Sequence, residues 1–405
     1  MKRRSFAAVR PRLAAALLVC AAALAPAAAR GDDYVTVRGA YYREASTRVI
    51  QPMVDVGRDS PGEGLDVEAH FLADAITSAS AAAGTSIDNI FTEIRDEVGV
   101  RVRKRLERSE VSLSYKYSAE SDYWSHFIGG SYGQRLWDDR AAFRLSVGRG
   151  FDSMSNKTTS TTCAPNVQAP FCTLDTWYAG ASYSQVLSPV MLAQVSYEAA
   201  YLDGFQGNVY RTVPTVNNQP EFLPPHRLRM ALTPRAAYYV PETSTGFQLS
   251  YRFYFDYYPG EHLTVSDPWH LVGNMIEGRV YQQVTPTLEV RALFRYYRQS
   301  GARFYCTPPN KPTQLPPTEF CAQATDPPSG YLAGTAKYFT ADPKLGPMHT
   351  EYPEVQLVWQ AEALRDVPLL GWFADGAFEI SYGYYIQSTS FGNAHVLQTG
   401  YTLTY

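Results

Sequence analysis

The side chains with most scope for acid–base chemistry or metal ligation are seven scattered histidines: His70, His126, His226, His262, His270, His349 and His395. No two stand at i, i+4, and there is neither an H-E-x-x-H nor a P-loop. An Asp/His pair on a strand end or loop can activate water or a serine for hydrolysis. Asp256 with His262 and Asp267 with His270 are the spacings that offer one, although a solvated loop histidine is the plainer reading of each. One G-x-S-x-G match exists, Gly129-Gly130-Ser131-Tyr132-Gly133. A nucleophile elbow needs a strand, a sharp turn and then a helix. This match lies inside an alternating segment with no helix after it, so we read its glycines as strand bends. No catalytic residue, cofactor or metal is expected.

Cys163, Cys172, Cys306 and Cys321 follow an N-terminal Cys20. Metal ligation would want C-x₂₋₄-C spacing or neighbouring histidines, and both are missing. Four cysteines allow three pairings. Each close pair lies within one Pro/Thr/Asn-rich segment, so Cys163–Cys172 and Cys306–Cys321 are the economical disulfides, and they imply an oxidising compartment.

The elements that carry these residues show a period of two. Val111, Leu113, Tyr115 and Tyr117 alternate with Ser112, Ser114, Lys116 and Ser118, and Phe247 to Tyr257, Leu288 to Tyr297 and Phe378 to Gln387 behave alike. Soluble strands run about five or six residues, whereas crossing the hydrocarbon of a bilayer with a tilted strand takes about 9–11. The segments have the longer length. We expect sixteen strands (14–18), among them 34–42, 46–56, 268–284, 287–303 and 350–364. The boundaries are weakest over 65–105, where Ile87–Val98 also suits an amphipathic helix. Connections 137–139, 188–189, 240–245, 285–286 and 365–374 are mostly short. They alternate with the long, polar 152–174, 203–225, 258–267 and 304–349. A membrane barrel has short turns at one rim and long loops at the other; a soluble sandwich has no reason to sort its loops by parity. The expected fold is all-β, a transmembrane antiparallel β-barrel with short periplasmic turns and long external loops.

Composition agrees with this. The 405 residues hold 36 Lys+Arg and 39 Asp+Glu, for a net charge of −3, so there is no electrostatic footprint for nucleic acid. No stretch beyond residue 30 approaches the roughly 18 apolar residues of a membrane helix. Aromatics make up 14% of the chain, with 30 tyrosines, as expected if rings form girdles at two membrane interfaces. Lys2, Arg3, Arg4, Arg10 and Arg12 precede an apolar run, Leu13 to Leu24, and then Ala27-Ala28-Ala29. This order predicts a signal peptide over 1–29, cleaved after Ala29, and a single barrel domain over 30–405 in the outer membrane of a Gram-negative-type envelope.

Two stretches carry a resemblance. Tyr401, Leu403 and Tyr405 share one face of the final strand and end the chain on an aromatic ring. This resembles the C-terminal signal of bacterial outer-membrane barrels, which implies recognition by the barrel-assembly machinery. Tyr42-Arg43-Glu44, then Thr47 to Pro52, then Asp74 to Ser80 look like an uncharacterised bacterial outer-membrane barrel family, a domain of unknown function. That resemblance covers mainly residues 34–150. It implies a barrel and carries no catalytic residues over.

The interior is where function is expected. Arg48, Arg101, Arg103, Arg144, Arg252, Arg291 and Arg295 fall on expected inward faces with Glu68, Asp256, Glu289 and Glu379. Of these, Arg144, Arg252, Arg291, Arg295, Glu289 and Glu379 are the candidate selectivity residues, since rings of charge set ion preference in a pore. A porin-like passive channel for small hydrophilic solutes is the favoured expectation. A closed barrel acting through its disulfide-tied loops is the alternative, and a hydrolase ranks last. The expected partners are membrane lipid and the assembly machinery, with the oligomeric state open.

Overall fold

The computed structural model describes residues 33–45, 47–79, 90–155, 171–208, 211–213, 219–259, 268–306 and 338–405. The period-two segments become sixteen long antiparallel strands: β1 (Tyr34–Arg43), β2 (Thr47–Ser60), β3 (Leu65–Ala79), β4 (Ile90–Arg105), β5 (Ser109–Ala119), β6 (Tyr123–Leu136), β7 (Ala141–Ser155), β8 (Phe171–Ser188), β9 (Met191–Gly204), β12 (His226–Val240), β13 (Thr245–Tyr257), β14 (Val272–Thr285), β15 (Leu288–Gln299), β16 (Met348–Gln360), β17 (Gly376–Gln387) and β18 (Ala394–Thr404). A two-residue ladder in the loop after β9, β10 (Thr212–Val213) with β11 (Gln219–Pro220), stands apart from them. Each long strand pairs with its neighbours in sequence, and β18 closes on β1 with Tyr34 opposite Thr404 and Arg43 opposite His395. Closure leaves no row of unpaired backbone groups, which a hydrocarbon surround would penalise by several kcal/mol each.

Three prolines sit inside strands. Pro52 in β2, Pro234 in β12 and Pro353 in β16 lack an N–H, and pairing toward one neighbour is interrupted at each, toward β3, β13 and β17 respectively. The opposite neighbour pairs without a break, so the barrel stays closed.

Connections sort by rim as expected. One rim holds 61–64, 106–108, 137–140, 189–190, 241–244, 286–287 and 361–375; the other holds 205–225, 258–271, 300–347 and the remaining loops. Several expected boundaries shift, two of them for the same reason. Residues 268–271 and 300–303, expected to extend strands, lie in the long-loop rim, where Trp269, Leu271 and Ala302 are buried in a loop core. Residues 361–364, expected to end a strand, form a short 3₁₀ turn. Apolar residues in a packed loop continue a strand's pattern, and alternation alone does not mark where pairing stops. The stretch that also suited a helix, Ile87–Val98, is strand over the residues described, with Phe71 opposite Val98 and Ile76 opposite Glu93.

Facing follows from which large apolar side chains are exposed. Val111, Leu113 and Tyr115, Phe247, Leu249 and Tyr251, Phe294, Val355 and Leu357 all point outward. Their alternates point into the barrel. An outward apolar belt around a polar interior inverts the soluble arrangement and is the surface a bilayer requires.

Candidate functional site

All six candidate selectivity residues share the inward face. In β7, Arg144 alternates with outward Leu145 and ion-pairs with Glu110 of β5, also contacting the Ser131 hydroxyl of β6 at 3.3 Å. In β13, Arg252 sits between outward Tyr251 and Phe253 and donates to Glu198 of β9 at 2.7 Å. Glu289 and Arg291 of β15 pair with each other, and Arg291 reaches Gln356 of β16. Glu379 of β17 accepts from Gln356 at 3.1 Å and from Arg38 of β1 at 3.2 Å. Arg295 pairs at 2.7 Å with Glu277, which also holds Arg279 at 2.8 Å. The charges therefore form cross-strand ladders, and a one-residue change of facing would remove every partner.

Several members of these ladders were not singled out from sequence: Arg38, Glu110, Glu198, Glu277 and Arg279. A further cluster joins His70 to Asp55 at 2.6 Å and Lys116 to Glu97 at 3.3 Å. Their signal lay in the same alternation, but only register shows which acid meets which base. Arg101 and Arg103 take the inward positions expected and pair with Glu68 and Asp66. Arg48 does not. It shares the outward face of β2 with Ile50. Val49-Ile50 breaks the alternation there, and a long side chain near a rim can snorkel to polar surroundings.

Above the ladders, the loops fold into a cap. Trp269, Leu271, Ala302, Phe304 and Leu345 form one buried cluster, and Val213, Cys306 and Phe339 form a second. Trp269 is fully buried; its indole N–H donates to the His226 carbonyl at 2.9 Å, and Arg227 stacks 4.0 Å from its ring centre. Gln299, inward at the top of β15, donates to the carbonyls of Lys344 and Gly346 at 2.8 Å each. The cap is thus tied to the inner wall. Arg211 lies between Glu221 at 3.2 Å and Asp342 at 2.8 Å, and Thr340 donates to Glu221 at 2.6 Å. Burial pushes the Glu221 carboxyl above its ordinary range, against the pull of Arg211. Beneath the cap lies a cavity of about 730 Å³ whose lining includes Arg211, Lys344, Arg295, Tyr42 and Tyr385. Cys172 and Cys306 are both buried at this rim, while Cys163 and Cys321 lie outside the described residues.

No hydrolytic constellation assembles from the residues described. Ser131 sits mid-strand, bonded to Ser112 at 2.7 Å, with another strand following it. Asp256 is held by Arg227 at 2.5 Å and accepts from the Leu271 N–H at 3.0 Å. His262 and Asp267 lie outside the described residues. Among the described residues no group of three His, Cys, Asp or Glu side chains is placed to hold a metal ion. No helix there is long and apolar enough to cross a membrane, which says nothing of crossing by strands.

Known structures with a similar course are outer-membrane barrels at very low identity. OmpT of Vibrio cholerae, as a loop-deletion mutant, matches at 8% identity over 92% of this chain and 98% of its own, with a TM-score of 0.45. OccD3 of Pseudomonas aeruginosa matches at 9% over 92% and 91%, at 0.43, and OccK2 of the same organism, solved with glucuronate, at 9% over 92% and 98%, at 0.42. No curated protein matches the sequence. The family described as "Protein of unknown function (DUF3570)" matches residues 73–389, well beyond the first third in which the sequence resemblance lay. That span runs from within β3 to the last loop and takes in most of the barrel wall, so the chain belongs to this family.

Proposed function

We propose that the chain is an outer-membrane barrel that passes small hydrophilic solutes, its loop cap narrowing the entrance and its charge ladders biasing which ions cross. One observation carries this reading: the interior is polar and charged along its length, and a cavity beneath the cap opens onto the ladders at Arg295. Sixteen strands suffice to enclose an aqueous channel. The signal peptide would be removed after Ala29, and Tyr401, Leu403 and Tyr405 would present the final strand to the barrel-assembly machinery. Cys163–Cys172 and Cys306–Cys321 would brace the cap; burial of Cys172 and Cys306 beside the loop clusters supports that pairing.

The test is single-channel recording of refolded protein in a planar bilayer. Stepwise openings that scale with salt are the expected result. A protein that shifts between unboiled and boiled migration on a gel, and so is folded, yet stays silent would overturn conduction. The near-complete pairing of inward charges specifically favours the second reading, a closed barrel that works through its loops, and silence would select it.

A further inference from the structure

We propose that the outward face of the long-loop rim, across β15, β16, β17, β18, β1 and β2, is a binding site for phosphorylated lipid headgroups. The inference rests on the membrane placement proposed above but not on conduction. Arg298, His349, His395, Arg43 and Arg48 all lie at the long-loop ends of their strands, on the outward face, and all are exposed. Register brings them together: Arg298 is opposite His349, and Arg43 is opposite both His395 and Arg48. Two arginines directly across a strand pair repel each other. Among the described residues, none of the three arginines has a carboxylate within 4.0 Å. Glu351, two residues beyond His349 on the same face of β16, leaves the arc with a positive surplus.

The opposite wall shows the contrast. There two outward basic side chains at the same rim are matched, Arg149 to Asp175 at 3.1 Å and His226 to Asp203 at 3.0 Å, while His126, among the described residues, bonds only the Tyr115 hydroxyl, at 2.8 Å. The unmatched arc also stands at the edge of the aromatic belt. Tyr382 bonds His395 at 2.8 Å, and Tyr384 packs 4.9 Å from its ring. Cations at that depth face headgroups, and paired guanidinium forks suit phosphate oxygens. A phosphate seated between Arg43 and Arg48 would turn a repulsive pair into a chelating one.

The experiment uses the full barrel, folded in neutral detergent, with bis-phosphorylated lipid A as probe and native mass spectrometry to count lipid retained. Wild type is expected to retain lipid A. The double variant R43Q/R48Q should retain about tenfold less, R149Q should match wild type, and dephosphorylated lipid A should be released. Equal retention by R43Q/R48Q, or equal retention of the dephosphorylated lipid, overturns the proposal. Displacement of lipid A by millimolar inorganic phosphate overturns it too, because the site would then read a free anion. If the double variant loses its heat-dependent gel shift, R298Q must show the loss in its place. A silent barrel that retains lipid A sinks only the channel reading, and a conducting barrel that does not retain it sinks only this one.

Discussion

Glu221 shows how one buried carboxyl can set the behaviour of a loop. It is held by Arg211 and Thr340, with Asp342 on the far side of the guanidinium, and burial dominates its titration. A carboxyl whose folded pKa lies above its unfolded value stabilises the docked state below the unfolded value, and that contribution is lost as pH rises through the folded value. The cap should therefore hold most tightly in acid and loosen as pH climbs above the ordinary glutamate range. Limited proteolysis of the loops on the intact barrel, at acid and at neutral pH, reads this directly. Glu221→Gln keeps the neutral form at every pH, so the difference should vanish, and a surviving difference would assign it to another group. In the lumen, R291Q/R295Q strips the partners from Glu289 and leaves Glu277 with Arg279 alone. Two positive charges fewer beside two carboxylates should move reversal potentials toward cation preference, by about twofold in permeability ratio. An unchanged ratio would place selectivity elsewhere.

At the scale of the strand, facing is the variable that matters, and it can be tested on adjacent residues. Leu249 faces out and Gln248 faces in. An arginine on the lipid face near the midplane costs about 2–4 kcal/mol, so Leu249→Arg should lower unfolding stability in vesicles by that amount, while Gln248→Arg should change it little. Equal costs would contradict the assigned faces. The turn 137–140 offers a second test. Trp137, Asp138 and Asp139 all have positive φ, between 53° and 66°, where a side chain costs about 1 kcal/mol or more. Asp138→Gly should raise stability by about 1 kcal/mol, read as a shift in urea midpoint. This scale also shows what sequence can convey. Unbroken alternation in β5, β13 and β17 placed both strands and faces, because side-chain direction is fixed by backbone geometry. Val49-Ile50 broke the alternation and Arg48 was misplaced. Trp269, Leu271 and Ala302 look like strand residues in one dimension, and only their packing against Phe304 and Leu345 reveals a cap. The ladder partners Glu110, Glu198 and Glu277 were equally illegible, since pairing depends on register between strands rather than on spacing within one.

For the whole molecule, the consequence is that two structures of different stability share one chain. The wall is continuous pairing from β1 round to β18, and opening it would expose backbone to hydrocarbon. The cap rests on small apolar clusters and a few buried ion pairs, so it can open while the wall stays shut. Trp269 is where the two meet: its ring packs edge-on to Phe304 at 4.9 Å, its N–H bonds a β12 carbonyl and its face stacks on inward Arg227. Trp269→Ala removes all three contacts. Losing a buried aromatic of that size costs about 3–5 kcal/mol, which falls on the cap because no wall pairing involves residue 269. The variant should keep its heat-dependent gel shift, cleave faster within its loops and, if the cap narrows a channel, pass a larger single-channel current than wild type. Faster cleavage with unchanged current would separate the cap from permeation. Loss of the gel shift would mean that cap and wall fold as one unit, and that the barrel depends on the loops it carries.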